Sequence, residues 1–341
     1  MMETEDGKKE DLNDLYPEFK RYESKKSFTF LRLYFGFTFL VWWRFILFVC
    51  TLFSLSIALN LFLRDRKPGD PLSQSQRRKV EIICSIAMFI VLNIVLGLFY
   101  KEKKITDLTV FKKYLGPDYK DRDDYSLIIS NHTSYTDIFV LGRILVPSFA
   151  AKAGLKTVPI IGFIAESLES LWIHRDKKEQ SDLIHQQMHE RQKDFISKKL
   201  LSPLLVFPEG TVTSGRHLLI FRSGAFRHQL PVKPYILVND SGEGVCTSTG
   251  GMNQGLHWLY ILCFLYTYNL TVYELPTIYP TDYMYEHHTN LVENKTHVYA
   301  NTARSICAEL SGLQKSDKTV RHSFEFDDKI RGNTSGKEKL F

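Results

Sequence analysis

A histidine and an aspartate five positions apart are the first residues whose types and spacing could carry chemistry. His132 is the second residue after the segment 126–130, which predicts a strand, and Asp137 lies about one turn into the next predicted helix. A carboxylate that holds one imidazole nitrogen fixes the tautomer and leaves the other nitrogen free to accept an alcohol proton. The same spacing also suits a capping box between Ser134 and Asp137, which would leave His132 an ordinary loop histidine. The pair therefore predicts a general base, with helix capping as the alternative.

A second polar loop has the same relation to a strand. The sequence FPEGT at 207–211 begins at the last residue of the strand predicted over residues 204–207. In α/β domains, ligand-binding loops lie at the carboxyl ends of parallel strands. We therefore expect this loop and the His132 loop to lie at one edge of a sheet.

Short apolar runs alternate with amphipathic stretches between residues 101 and 313. This alternation predicts an α/β fold with a mostly parallel sheet flanked by helices. The predicted strands are 126–130, 171–174, 204–207, 232–238 and 270–275. The predicted helices are 137–145, 160–167, 179–198 and 289–310. Residues 255–273 predict a buried helix that leads into a strand.

Two uncharged apolar runs, 45–63 and 82–100, precede this region, and basic residues cluster at their ends. At about 1.5 Å per residue, each run would approach the ~30 Å thickness of bilayer hydrocarbon. They predict a transmembrane or re-entrant helical hairpin, with a pair of buried core helices as the alternative. The aromatic segment 28–43 predicts an interfacial helix. The chain is thus divided into a charged tail (1–27), a membrane region (28–100), a catalytic domain (101–312) and a polar tail (313–341).

Composition narrows the class of protein. The 341 residues are 44% hydrophobic and 24% charged, which excludes a disordered chain. The net charge of +6 suits an anionic ligand or membrane surface and is too small to indicate nucleic acid binding. The five cysteines lack a C-x-x-C spacing, so neither a disulfide framework nor a zinc site is indicated.

Four ordered blocks resemble the PlsC-type glycerolipid acyltransferases, which include lysophosphatidate and lysophosphatidylcholine acyltransferases. NHTSYTD at 131–137 is similar to the first block of that family, and FPEGT at 207–211 is similar to the third. VPIIG at 158–162 with LWIHRD at 171–176 resembles the second block, and LPVKP at 230–234 resembles the fourth. The segment RSGAF at 222–226 also resembles the stretch that follows the third block. The resemblance covers about residues 125–280.

The resemblance implies that His132 is the general base and that Asp137 orients it. The free hydroxyl of a lysophospholipid would attack acyl-CoA directly, without an acyl-enzyme. Arg175 and the backbone around Glu209, Gly210 and Thr211 would hold the glycerol phosphate. A guanidinium suits phosphate because it offers paired charge-assisted hydrogen bonds, although a surface arginine at a strand end is the alternative for Arg175.

Further implications concern Glu209, the head group and cofactors. We expect Glu209 to organise its loop or to bind a substrate hydroxyl. Family members often carry a basic residue after Glu-Gly-Thr, but this chain has Val212, which leaves the acceptor head group open. We expect no cofactor and no metal, because acyl-CoA is a co-substrate and no EF-hand sequence occurs.

Other motifs fail at decisive positions. The spacing from Gly210 to Gly215 fits a P-loop, but Arg216 and His217 follow where lysine and serine or threonine are required. Neither G-x-S-x-G nor H-E-x-x-H occurs. Two alternatives remain: an inactive membrane scaffold of the same fold, or an enzyme that acylates glycerol-3-phosphate or monolysocardiolipin.

Two sequence features bear on location. Lys337 and Lys339 have the spacing of a dilysine retrieval signal, which acts on a cytosolic tail of an endoplasmic reticulum protein. N-glycosylation sequons occur, among them those at Asn131, Asn269, Asn294 and Asn333, and they would be silent in the cytosol. We therefore expect an endoplasmic reticulum membrane protein whose active site faces the cytosol.

Overall fold

The computed structural model describes residues 2–3, 9–10, 12–20, 26–67, 70–173, 181–200, 202–239, 254–263, 270–288 and 294–330. Its helices are α1 Leu12–Leu15, α2 Lys26–Phe39, α3 Val41–Leu63, α4 Gln74–Phe89, α5 Thr109–Leu115, α6 Thr136–Leu145, α7 Ile161–Ser167, α8 Ser181–Ile196, α9 Gln254–Leu262, α10 Asp282–His287, α11 Lys295–Ser311 and α12 Val320–Ile330. Its strands are β1 Met2–Glu3, β2 Lys9–Glu10, β3 Tyr100–Lys104, β4 Leu127–Ser130, β5 Ser148–Lys152, β6 Leu171–Ile173, β7 Leu204–Val206, β8 His217–Leu218, β9 Val232–Asn239, β10 Leu270–Glu274 and β11 Gln314–Lys315.

The central sheet has the strand order β3-β10-β9-β4-β7-β5-β6 among the described residues. Strand β4 lies between β7 and β9 and is parallel to both, with Leu127 opposite Leu204 and Val232. Only the β9–β10 pair of this sheet is antiparallel in the part of the chain described above. The predicted α/β class with a mostly parallel sheet is confirmed.

Alternate residues of the central strands enter two apolar cores, one on each face of the sheet. Leu127 and Ile129 pack with α5 and α11 in one core. Ile128 packs in the other core with α6 and with residues 91–95, which follow α4. Buried central strands are apolar on both faces because helices cover both sides of a parallel sheet. The two cores hold β4 and β7 rigidly at the point where their loops begin.

The predicted strands and helices of this domain are present with ends within two residues of the prediction, except that α11 begins at Lys295 and not at residue 289. Two strands of the central sheet are not predicted, β3 at one edge and β5 between β7 and β6. Helix α9 followed by β10 agrees with the buried helix and strand expected over residues 255–273, of which 264–269 lie outside the described residues.

The second apolar run does not form the helix predicted over residues 82–100. Helix α4 begins at Gln74 because Ser73 and Gln76 form a capping box, and it continues as a π-helical segment that ends at Val95. Tyr100 instead opens the edge strand β3. Helix α4 packs along α3 and α6, and its buried Arg77 donates to the carbonyl oxygens of Leu145 and Val146. A helix pair is therefore present, but its second member is shared with the catalytic domain.

Helix α3 is long and apolar enough to cross a membrane, by length and composition, and within the described ranges no other helix meets that test. Its start at Val41 is four residues earlier than the predicted run. The helix has one face packed on α4, whereas Trp42, Ile46 and Leu61 are about 60% exposed. Helix α2 precedes it after a break at Leu40, and also exposes large apolar side chains such as Phe30.

Parts of both predicted tails are packed rather than solvated. Tyr16 and Phe19 pack with Leu219 and with Phe326 of α12 in a small apolar core. Ser214 donates its backbone N–H to the Glu18 carbonyl oxygen, over 2.7 Å. The apolar positions at 16, 19 and 326 are few, but they are enough to dock segment 12–20 and α12 against the loop that follows β7.

Candidate active site

The loops that follow β4 and β7 meet at the carboxyl edge of the sheet. The backbone N–H of His132 donates to Glu209 Oε1 at 2.9 Å. The carbonyl oxygen of His132 accepts from the backbone N–H of Thr213, also at 2.9 Å. The second loop therefore holds the peptide groups on both sides of His132, which fixes the position of its side chain.

His132 and Asp137 form a close pair. The imidazole Nδ1 lies 2.9 Å from Asp137 Oδ2, and the Asp137 side chain is only 1% exposed. Oδ2 also accepts from the backbone N–H groups of Thr133 and Ser134, while Oδ1 accepts from the Thr133 hydroxyl. Asp137 thus holds the imidazole and organises the first turn of α6 at once, so the two interpretations of this spacing are compatible.

The surroundings of the ring determine which nitrogen can react. Because Asp137 accepts from Nδ1, hydrogen bonding assigns the proton to that nitrogen and leaves a lone pair on Nε2. The ring stacks on Phe207, with centroids 4.1 Å apart and planes at 14°. The side chain is 17% exposed, and the described residues provide no hydrogen-bond partner for Nε2. Nε2 is therefore available to accept a proton from a bound molecule.

Glu209 is completely buried beneath the two loops. Its second carboxylate oxygen, Oε2, accepts from the backbone N–H of Leu219 at 2.9 Å. Burial raises the pKa of Glu209 to about 8, because desolvation outweighs the two backbone hydrogen bonds that favour the charged form. Since both oxygens already hold backbone groups, this geometry fits loop organisation, one of the two roles that the sequence suggests for Glu209.

The rest of the second loop turns towards the C-terminal part of the chain. Gly210 has φ = +74°, and a Cβ placed there would lie 3.0 Å from Arg222 Cδ. This left-handed backbone and the close approach explain the glycine. The hydroxyls of Thr211 and Ser323 lie 3.0 Å apart, so the Thr211 side chain contacts α12.

Arg175 lies outside the described residues, which resume at residue 181 after β6. Strand β6 is parallel to β5, so its carboxyl end lies at the same edge as the ends of β4 and β7. The structure thus brings together His132, Asp137, Glu209, Gly210 and Thr211, and leaves the placement of Arg175 a prediction.

Asn131 has a structural role at the site that its type and spacing do not predict. The buried side-chain amide of Asn131 donates to the carbonyl oxygen of Leu237 at 2.9 Å and accepts from the N–H of Leu237 at 2.8 Å. It imitates a backbone peptide and extends the β4–β9 pairing by one position. The only available signal is an asparagine at the end of a buried strand. In the folded protein, this sequon is inaccessible to glycosylation.

Residues 113–238 match the family model described as Acyltransferase. The chain is 32% identical over 202 residues to the lysophospholipid acyltransferase LPEAT1 of Arabidopsis thaliana, covering 58% of this chain and 48% of that protein. It is 33% identical over 182 residues to the 1-acyl-sn-glycerol-3-phosphate acyltransferase of Saccharomyces cerevisiae, covering 51% and 57%. The chain thus spans about half the length of these curated relatives.

The fold agrees with these similarities. A solved structure, the 1-acyl-sn-glycerophosphate acyltransferase PlsC of Thermotoga maritima, matches with a TM-score of 0.50 and 14% identity, covering 84% of this chain and 96% of the other. Residues 113–238 of this α/β domain thus match an acyltransferase family model, and the similar proteins are lysophospholipid and 1-acylglycerol-3-phosphate acyltransferases. Together, these similarities support a PlsC-type glycerolipid acyltransferase family.

Proposed function

We propose that this protein is an acyl-CoA-dependent O-acyltransferase that acylates the free glycerol hydroxyl of a lysophospholipid. This proposal rests on the pair formed by His132 and Asp137, in which Asp137 holds Nδ1 of the imidazole and Nε2 is available. The names of the similar proteins support lysophospholipids, or 1-acylglycerol-3-phosphate, as the acceptor.

In the proposed reaction, Nε2 of His132 takes the proton of the acceptor hydroxyl while its oxygen attacks the thioester carbonyl carbon. The C–S bond then breaks, and the coenzyme A sulfur leaves with its electron pair and recovers the proton from Nε2. Asp137 stabilises the transient imidazolium, because a buried carboxylate lies 2.9 Å from its other nitrogen. No covalent bond to the protein is required, since the thioester is already activated.

We further assign the acceptor phosphate to Arg175 and to the backbone around Glu209, Gly210 and Thr211. The support is that the loop after β6 and the loop after β7 leave the same edge of the sheet. As a glycine, Gly210 also has no side chain of its own to cover its backbone.

We also propose that α2 and α3 lie in the endoplasmic reticulum membrane, with the site on the cytosolic side. Their exposed residues include the aromatic Phe30, Tyr34 and Trp42 and the aliphatic Ile46. Exposed aromatic rings are typical of membrane interfaces. Both substrates carry hydrocarbon chains, so a site at the interface spares those chains from crossing water.

The test is acyl transfer by membranes that contain the intact chain or the variant His132→Ala. Labelled acyl-CoA is supplied with a panel of acceptors: lysophosphatidate, lysophosphatidylcholine, lysophosphatidylethanolamine, glycerol-3-phosphate and monolysocardiolipin. Removing a general base should lower the rate about 10²–10⁴-fold. The exposed His297 of α11 supplies the matched control, His297→Ala, which should retain full activity.

The acceptor with the highest activity identifies the head group. Transfer that survives in a folded His132→Ala protein contradicts the mechanism. If the intact protein transfers acyl groups to none of the acceptors, the proposal of an enzyme fails and an inactive scaffold replaces it.

A further inference from the structure

Four half-buried aromatic rings connect the loop of His132 to the apolar helix α3. Tyr135 stacks on Trp258 of α9, with ring centroids 6.1 Å apart and planes at 15°. Trp258 contacts Phe139 of α6 at 5.8 Å and Phe48 of α3 at 5.5 Å. Phe48 and Phe139 also meet edge to face at 6.1 Å. We call Phe48, Phe139, Tyr135 and Trp258 the aromatic bridge.

Helix α9, which carries Trp258, is fixed against the two N-terminal helices. The buried guanidinium of Arg44 in α3 donates to the carbonyl oxygen of Leu262 at 3.2 Å. Gly36 of α2 lies so close to Cys263 that an added Cβ would stand 1.7 Å from its carbonyl oxygen. The position of Trp258 is therefore set by α2 and α3, and the bridge links these helices to the catalytic loop.

The two ends of the bridge have different surroundings. Around Phe48, helix α3 exposes Phe45 by 55% and Ile46 by 62%, which continues the apolar face that we assign to the membrane. At the other end, Tyr135 lies three residues after His132, at the start of the helix that contains Asp137. The bridge thus forms a continuous apolar connection from the surface of α3 to the catalytic loop.

We propose that the aromatic bridge binds the hydrocarbon chain of the lysophospholipid acceptor and positions its free hydroxyl at His132. This inference rests on the proposed function. Both substrates carry a hydrocarbon chain, but the bridge starts at the face assigned to lipid. An acceptor can move along it with its small head group at the interface. The large, charged coenzyme A moiety of the donor must stay in water.

The first experiment measures steady-state kinetics of the full chain and of Trp258→Ala in mixed micelles. The acceptor carries a hexanoyl, decanoyl or palmitoyl chain while the donor is constant, and the donor chain is then varied with the acceptor constant. We expect Trp258→Ala to raise KM for the palmitoyl acceptor about tenfold and to leave the hexanoyl acceptor nearly unchanged, because a longer chain buries more apolar surface against the bridge. The donor series should keep its wild-type chain-length dependence.

Two further variants separate binding from folding. Trp258→Phe keeps an aromatic ring and should restore most of the preference for long acceptors. Phe53→Ala removes an exposed ring of α3 outside the bridge, and should leave both series unchanged. Near-UV circular dichroism shows whether each variant is folded. Equal losses for hexanoyl and palmitoyl acceptors, or a change confined to the donor series, overturn the proposal.

A binding measurement distinguishes this inference from the proposed function. Lysophospholipids brominated on the chain quench nearby tryptophans, so Trp258 should contribute quenching that disappears in Trp258→Phe. Bromine on the acyl chain of acyl-CoA should not produce this difference. If Trp258 is quenched in a protein without transferase activity, the site for the hydrocarbon chain is supported and the proposed enzyme function is contradicted. If the protein transfers acyl groups but Trp258 is not quenched, the proposed enzyme function is supported and the site for the hydrocarbon chain is contradicted.

Discussion

The loops that follow β4 and β7 differ from the surface of α3 in which side chains they bury. In the loops, polar atoms are buried and bonded to one another, as shown by Asp137 with its four donors and Glu209 with two. On α3, apolar side chains such as Ile46 and Leu61 are exposed and touch little else. A buried polar group depends on specific partners, whereas an exposed apolar group depends on the solvent around it. Single substitutions should therefore act through geometry in the loops and, on the proposed membrane placement, through the lipid environment on α3.

Asp137→Asn should have the largest effect of the substitutions considered below, and the effect should be on kcat. The amide is nearly isosteric, but it removes the charge that stabilises the imidazolium and offers one acceptor oxygen instead of two. We expect kcat to fall about 10²–10⁴-fold while KM changes little. Asp282→Asn, which removes an exposed aspartate from the first turn of α10, is the matched control. A folded Asp137→Asn protein with wild-type kcat would remove this residue from the mechanism.

Glu209→Gln should have an intermediate effect, on the free energy of unfolding and on its pH dependence. Burial raises the pKa of Glu209 from 4.5 to about 8, so the folded protein keeps a proton that the unfolded chain releases. The free energy of unfolding should fall as pH rises from 4.5 to 8, by up to about 1.4 kcal/mol per pH unit. Glu209→Gln cannot titrate, and should lose this part of the pH dependence. It should also be about 1–3 kcal/mol less stable because one backbone N–H loses its acceptor.

Unfolding in detergent between pH 4.5 and 9 measures both quantities for Glu209→Gln. The exposed Glu166→Gln in α7 controls for the loss of a surface charge. If the free energy of unfolding of Glu209→Gln depends on pH as steeply as that of the wild type, then Glu209 is not the group responsible for this pH dependence.

The smallest effect on stability is expected from Leu61→Asn on the exposed face of α3. Leu61 is 62% exposed, so the free energy of unfolding in detergent should change by less than about 0.5 kcal/mol. Binding to lipid vesicles should weaken, because an amide replaces an apolar side chain in hydrocarbon. The neighbouring Leu59 is fully buried, and Leu59→Asn should instead destabilise the protein by about 2–5 kcal/mol. Equal vesicle binding by wild type and Leu61→Asn would place this face in water.

Sequence patterns predict the catalytic domain well where apolar residues cluster. The strand at Leu127 and the helix at Thr136 are found because buried central elements need uninterrupted apolar runs or an amphipathic period. Strand β3 is missed because it is an edge strand whose residues, apart from Tyr100, are charged and exposed. The start of α4 is missed because Arg77 is charged yet buried, where it holds the end of α6.

At the site, the sequence predicts the pair that is close in the chain and the shared edge of the two loops, but it does not predict the individual contacts between the loops. The contact between His132 and Asp137 follows from spacing on one loop and helix. The backbone contacts of His132 with Glu209 and Thr213 join residues about eighty positions apart, and Asn131 reaches Leu237 on a third element. Single-sequence periodicity carries no information on such pairs, because they depend on which strands are neighbours.

The docking of segment 12–20 with α12 has a consequence for the order of events during synthesis. Phe326 completes the small core beside Leu219, and Ser323 meets Thr211, so the support of the second loop is delivered by residues synthesised after the rest of the domain. Helix α3 leaves the ribosome more than two hundred residues earlier. On the proposed membrane placement of α3, the nascent protein therefore reaches the membrane first, and the candidate site is completed only afterwards.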